Sequence, residues 1–176
     1  MEQVQLVRYG EIHLKGLNRP FFERKLIDGI NNALRGFGAR VRREQGRIYV
    51  HGIAPERMEA RVFGVHSISP AMAVEKDWDA IVEAAACLTE QAAGGKNVTF
   101  KVFSRRSDKG FPMNSETINH ELGHVLLERF PNLTVDVHAP ELKVCVEIRE
   151  QAFIYAAEIM GAGGMPSGTA GRAALL

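Results

Sequence analysis

The sequence has only two cysteines among 176 residues, Cys87 and Cys145, and neither has a Cys or His neighbour at metal-ligand spacing. A fold held by disulfide staples is therefore not expected. Both thiols fall in apolar periodic segments and read as buried side chains in a reducing, cytoplasmic setting. No stretch approaches about 18 consecutive apolar residues, and the start, Gln3-Val4-Gln5-Leu6-Val7, alternates instead of placing charge before a long apolar run. Neither a membrane span nor a signal peptide is expected. Also missing are a G-x-S-x-G elbow, a P-loop and a Cys-x-x-Cys pair, so the chain shows no self-sufficient catalytic constellation.

What is present is enough apolar residue, 45% of the chain, to build one ordinary core or two small ones. The net charge of +1 hides a polarity: residues 1–57 hold 11 Lys/Arg and 6 Asp/Glu, a balance of +5, and the remainder holds −4. Arg40, Arg42, Arg43 and Arg47 cluster in the first part. The sharpest concentration is Lys101-Val102-Phe103-Ser104-Arg105-Arg106-Ser107-Asp108-Lys109-Gly110-Phe111-Pro112, where an alternating strand runs into a basic loop. Four cations against one Asp in so short a segment suit a polyanion, because phosphates attract them and counterion release supplies affinity.

Hydrophobic periodicity predicts strands at Gln3–Tyr9, Ala39–Glu44, Arg47–His51 and Ser67–Glu75, with a helix from the Asn18 cap to Gly36-Phe37-Gly38 and another at Pro55–Val62. The order β-α-β-β-α-β is the split βαβ arrangement of a ferredoxin-like domain, over residues 1–75. The pattern restarts at the Asp77 cap, with a helix to Gly94-Gly95, a strand at Asn97–Ser104, a helix capped by Asn114 or Ser115 and closed by Pro131, and strands at Leu133–Val137, Leu142–Arg149 and Ala152–Ile159. The fold class is thus α+β, with a second, α/β domain over 76–160. Residues 161–176 follow as a Gly-rich linker, carrying five glycines between 161 and 171.

His120-Glu121-Leu122-Gly123-His124 matches the H-E-x-x-H pattern of zinc hydrolases on a predicted helix, where residues four apart share a face. Its extended form fails, since Leu127 stands at the glycine and Phe130 at the third histidine. Glu141 and Glu147, the remaining candidate ligands, fall in predicted strands. A solvated helix face over a core of Ile118, Leu122 and Val125 explains the same residues, and the zinc hydrolase stays as an alternative. A dimerisation or interaction module with incidental basic loops is another.

Three segments together carry a resemblance: Arg8-Tyr9-Gly10-Glu11-Ile12 with Leu14-Lys15-Gly16 and Asn18-Arg19; Phe100 to Pro112; and Gly161-Ala162-Gly163-Gly164-Met165-Pro166-Ser167-Gly168-Thr169. In that order they resemble the N-terminal half of the tRNA 4-thiouridine synthetases, tRNA sulfurtransferases also linked to thiamine thiazole synthesis. The resemblance implies a ferredoxin-like domain followed by a THUMP domain, an RNA-binding module, and then an ATP-pyrophosphatase domain that adenylates and thiolates uridine 8 of tRNA. The family uses ATP and Mg, receives sulfur from a cysteine desulfurase and is a possible homodimer. The family's Ser-Gly-Gly-x-Asp-Ser loop does not follow the linker within these 176 residues. No catalytic residue and no cofactor are therefore expected in this chain, which alone should neither adenylate nor transfer sulfur.

The function so implied is a platform for the acceptor stem and 3′ end of tRNA. Lys101, Arg105, Arg106 and Lys109 are the candidates for phosphate contact; Phe111 is a candidate stacking residue, with a role as hydrophobic anchor for the loop standing beside it. Lys15, Asn18 and Arg19 are further RNA candidates, equally suited to setting the arrangement of the domains. Metal analysis separates the hydrolase from this reading: protein purified without chelator is expected to carry no stoichiometric zinc, and one zinc per chain would restore the hydrolase.

Overall fold

The computed structural model describes residues 1–44, 46–54, 62–169 and 171. It divides into two compact units, one of Val4–Pro70 with Glu158–Leu176, the other of Met1–Gln3 with Ala71–Ala157. Most of the helix expected at Pro55–Val62, residues 55–61, lies outside the described residues, as do Gln45 of the expected hairpin turn and Arg172 of the expected linker.

In the first unit, β1 (Glu2–Arg8), β2 (Arg40–Glu44), β3 (Arg47–His51) and β4 (Ser67–Val74) stand in the order β2-β3-β1-β4. The β1–β3 and β2–β3 pairs are antiparallel, as a split βαβ arrangement requires. Helix α1 (Arg19–Ala33) has Pro20 in its first turn, where the missing amide costs no hydrogen bond, and it buries Leu26 and Ile30 at four-residue spacing. These pack with Val7, Ile12, Ile48, Val50, Val65 and Ile68 in one core. Between β1 and α1 the chain makes two short 3-10 turns (Glu11–Asn18) joined at Gly16, whose φ of +50° favours glycine.

The second unit is built on the order β4-β8-β7-β5-β6, where β5 is Val98–Arg106, β6 Leu133–Val135, β7 Leu142–Ile148 and β8 Ala152–Tyr155. Strand β5 is parallel to both of its neighbours, β6 and β7, while β7–β8 and β4–β8 are antiparallel. Helix α2 (Trp78–Ala93) starts where the Asp77 carboxylate accepts from the Ala80 amide at 3.0 Å and stops at left-handed Gly94. Helix α3 (Ser115–Arg129) is capped by Asn114, whose Oδ1 accepts from the Thr117 amide at 2.9 Å, and buries Ile118, Leu122 and Leu126. Both helices cover Phe100, Val102, Val144, Val146, Ile148, Ala152 and Ile154.

Three strand boundaries differ from expectation by more than one residue, each for a local reason. Strand β5 runs two residues past Ser104, because Arg105 and Arg106 pair with Glu147 and Ile148 of β7. Strand β6 stops at Val135, since the Asp136 carboxylate accepts from the amides of His138 and Ala139 and turns the chain. The strand expected over Ala152–Ile159 is broken after Tyr155, and Ile159–Met160 forms β9, which pairs with Ser67 and Ile68 of β4. Cys87 and Cys145 form no disulfide and are half-buried, a correction to the expectation of buried thiols.

Residues 161–169, expected as a linker, form a strap on the first unit. The Gly161 amide donates to His66 O at 2.7 Å, Gly163 to Val65 O at 2.8 Å, and Gly64 to Gly163 O at 2.7 Å. A Cβ on Gly161 would stand 2.3 Å from Val65 O, so only glycine lets the two backbones approach. Gly161→Ala is expected to destabilise the first unit by about 2 kcal/mol. Gly163→Ala, with φ of +64° but open space around it, should cost about 1 kcal/mol. Chemical denaturation of the two variants checks the order.

Candidate nucleic-acid interface

The basic loop is held at several points, and those ties sort its cations into inward and outward ones. Ser107 N donates to Ile148 O at 2.9 Å, continuing the β5–β7 ladder by one bond. The Arg106 guanidinium turns back and donates from Nη1 to Phe111 O at 2.9 Å and to Lys109 O at 3.4 Å. Asp108 accepts from the Gly110 amide at 2.8 Å and from the Lys76 ammonium at 2.5 Å. The Lys76 hydrogen bond, with that from Gly110, holds the Asp108 carboxyl below its ordinary range, and Asp108 in turn raises Lys76. Phe111 is only 7% exposed and belongs to the core under α3. Of the two roles open to Phe111 it fills the anchor's, and its ring offers no face for a base: the stacking assignment is corrected.

Arg105 and Lys109 remain exposed. Lys101 is half-buried; its ammonium donates to Val137 O at 3.0 Å and lies 4.9 Å from the centre of the Phe103 ring. Ser104 fixes the start of α3 behind the loop, its amide donating to Asn119 Oδ1 at 2.7 Å and its hydroxyl to Ser115 O at 2.7 Å. Two residues of this surface were not singled out from the sequence. Phe103 is 39% exposed and Lys143 is exposed, opposite Lys101 in the β5–β7 register. The alternation that buries Phe100 and Val102 is the signal that would have found Phe103.

The first-unit candidates divide differently. Arg19 is committed to a cluster around Glu23, which is buried: Arg19 Nε donates to Glu23 Oε1 at 2.8 Å, Tyr9 OH donates to the same oxygen at 2.5 Å, and Arg43 Nη1 pairs with Oε2. Arg19 Nη2 also reaches Tyr9 OH at 3.3 Å and packs against Gly46. Asn18 sits at the N-cap of α1 without a side-chain cap bond, and the Lys15 ammonium lies 5.4 Å from the Phe22 ring. The three therefore do not form one cationic surface.

His120 and His124 lie on the solvent side of α3, 81% and 63% exposed in their side chains, beside Glu121 and Glu128 respectively. Glu141 accepts from the Thr99 amide and hydroxyl, and Glu147 is buried against Arg149. Among the described residues no group of three His, Cys, Asp or Glu side chains is placed to hold a metal ion, and no helix is long and apolar enough to cross a membrane.

A split βαβ unit joined to a helix-capped α/β unit with a braced cationic loop defines the class of tandem ferredoxin-like and THUMP proteins. Residues 4–69 match the family model of the ThiI ferredoxin-like domain and residues 75–156 that of the THUMP domain. The chain belongs to the ThiI ferredoxin-like and THUMP domain families, whose two models together cover most of it. Probable tRNA sulfurtransferases of Caldanaerobacter subterraneus and Lachnospira eligens are 43% and 44% identical to it, each over the whole of this chain and 47% of the relative. The chain thus spans about half the length of the curated relatives it matches. Among solved structures, a 4-thiouridine synthetase in complex with RNA and ATP superposes with a TM-score of 0.86 at 31% identity, covering 97% of this chain and 45% of that one. A Pyrococcus horikoshii protein gives 0.86 at 35% identity, covering 95% and 58%.

The Glu23 cluster carries a pH dependence. Burial alone would raise the Glu23 carboxyl, but hydrogen bonds from Tyr9 and Arg19 and the charges of Arg19 and Arg43 outweigh it and hold it below the ordinary glutamate value of 4.5. A carboxylate depressed in the folded state contributes stability above its unfolded pKa and loses it as pH falls through the folded one. The first unit is expected to weaken as pH drops below about 4.5, and Glu23→Gln should flatten that acid limb. Urea midpoints measured from pH 7 down to pH 3 check this.

Proposed function

We propose that this chain is the tRNA-binding portion of a tRNA 4-thiouridine synthetase, and that it grips the acceptor stem and single-stranded 3′ end. The observation that carries the reading is the braced loop. Arg106 and Asp108 are spent internally on holding its shape, which leaves Arg105 and Lys109 exposed on a fixed support. Preset cations lose less conformational freedom on meeting phosphates than cations on a slack loop, and an Arg fork binds a phosphate bidentately. The likeness to the 4-thiouridine synthetase of the RNA complex supports the same reading.

Adenylation with ATP and Mg, and sulfur delivered by a cysteine desulfurase, belong in this proposal to the whole protein and not to residues 1–176. Its setting is cytoplasmic, and a homodimer is compatible with it. Lys101 and Lys143 extend the cationic surface beside the loop. Arg106 acts on RNA chiefly through the loop it closes.

The test is binding to an acceptor-stem RNA with and without its single-stranded 3′ end, across a salt series, beside an unrelated duplex of equal length. A preference for the intact 3′ end and a steep salt slope are expected; equal, weak binding to all three would reject the proposal. Arg105→Ala and Lys109→Ala should each lower that slope by roughly 0.7 to 0.9 and leave the thermal midpoint unchanged. Arg106→Ala should lower the midpoint as well, because it frees two loop carbonyls.

A further inference from the structure

Strand β5 presents a second surface that the loop does not account for. Its even-numbered Phe100 and Val102 are buried beneath α3, so Lys101, Phe103 and Arg105 share the opposite face. Along that face the exposed Phe103 ring is flanked on one side by Lys101, with Lys143 level with it on β7, and on the other by exposed Arg105. Successive residues on one face of a strand stand about 6.6 Å apart, close to the advance of one nucleotide along an extended strand. One face of the ring already takes a cation, the Lys101 ammonium standing over it 4.9 Å from its centre, so the face available to a base is the one turned away from Lys101.

We propose that this face binds an unpaired RNA nucleotide, its base stacked on Phe103 and its flanking phosphates on Lys101 with Lys143 and on Arg105. The inference rests on the RNA-binding reading above and deepens it by naming the residue that receives a single-stranded base. An aromatic ring on an open sheet, bordered by cations, is the chemistry by which proteins hold unstacked bases without reading their sequence. A duplex has no free base face to offer, so this surface selects single strands, whereas the loop cations act on any phosphate. Of the acidic groups nearby, Glu147, opposite Arg105, is paired with Arg149, while Asp136 and Glu141 are held in place by amides and by Thr99 and keep their charge. Phe111 in the loop and Phe153 on β8, opposite Glu147, are both closed off in the interior.

The test uses the chain as it is, with an acceptor-stem hairpin that carries an unpaired 3′ extension and the same hairpin cut blunt. Phe103→Leu keeps an apolar side chain on the strand and removes the ring. It should weaken binding of the tailed hairpin about tenfold, the size of one lost base–aromatic stack, and leave the blunt hairpin unaffected. Phe103→Trp should bind the tailed hairpin at least as tightly as Phe103 does, with quenching of indole fluorescence that wild-type protein, whose one Trp is residue 78, does not show. Lys109→Ala serves as the control and should weaken both hairpins alike. If Lys109→Ala weakens both while Phe103→Leu weakens neither, or weakens both equally, stacking on Phe103 is rejected and the RNA reading stands. If wild-type protein binds neither hairpin, both fall.

Discussion

Strand β5 is the constraint on which the second unit depends. It pairs with β7 from Phe100 to Arg106 and with β6 over Val98–Phe100, and along this extended run its side chains go alternately under α3 and onto the opposite face. Phe100 and Val102 take the helix side, which fixes Lys101, Phe103 and Arg105 on the other. A slip of one residue would bury two cations and expose two large apolar groups, so the burial of the core and the display of the cationic face are one decision.

The same alternation sorts the two adjacent arginines. Arg106 continues the helix-side parity of Phe100 and Val102, and its guanidinium finds the carbonyls of the loop it closes; Arg105 has the opposite parity and stays in solvent. With Phe111 inserted in the core and Asp108 bound by Lys76 and Gly110, the loop is anchored by apolar, ionic and backbone contacts together. A cation held so has little freedom left to lose, which suits it to a ligand whose charges come at regular spacing.

In the first unit the organising group is Glu23, a buried carboxylate that one phenol and two guanidinium groups satisfy. It ties down Arg19 and Arg43, two members of what reads in the sequence as a spread of free surface cations. The strap of residues 161–169 completes this unit from the far end of the sequence, through backbone bonds that only the close approach of Gly161 to Val65 allows. The Arg19–Glu23 pair spans one turn of α1 and is local, but Arg43 comes from β2 and the strap takes its groove from distant elements, so these two leave no local signal in the segment concerned.

The sequence by itself determined the α+β class, nearly all of the described strands and helices, the caps at Asp77 and Asn114, and the presence of a basic loop after β5. These follow from short-range rules, namely the period of the apolar residues, the chemistry of caps and turns, and charge density within a dozen positions. Only the tertiary structure decided which cations face solvent, that Phe111 is an anchor while Phe103 is the exposed ring, that Arg19 belongs to Glu23, and that the glycine-rich segment lies on the first unit. Each of these depends on which groups a side chain or backbone meets once the elements have packed, whether a turn away, as for Arg19 and Glu23, or across most of the chain, as for the strap. A polar group's role is set by whether a partner or water satisfies it, and that is known only once the partners have been brought together.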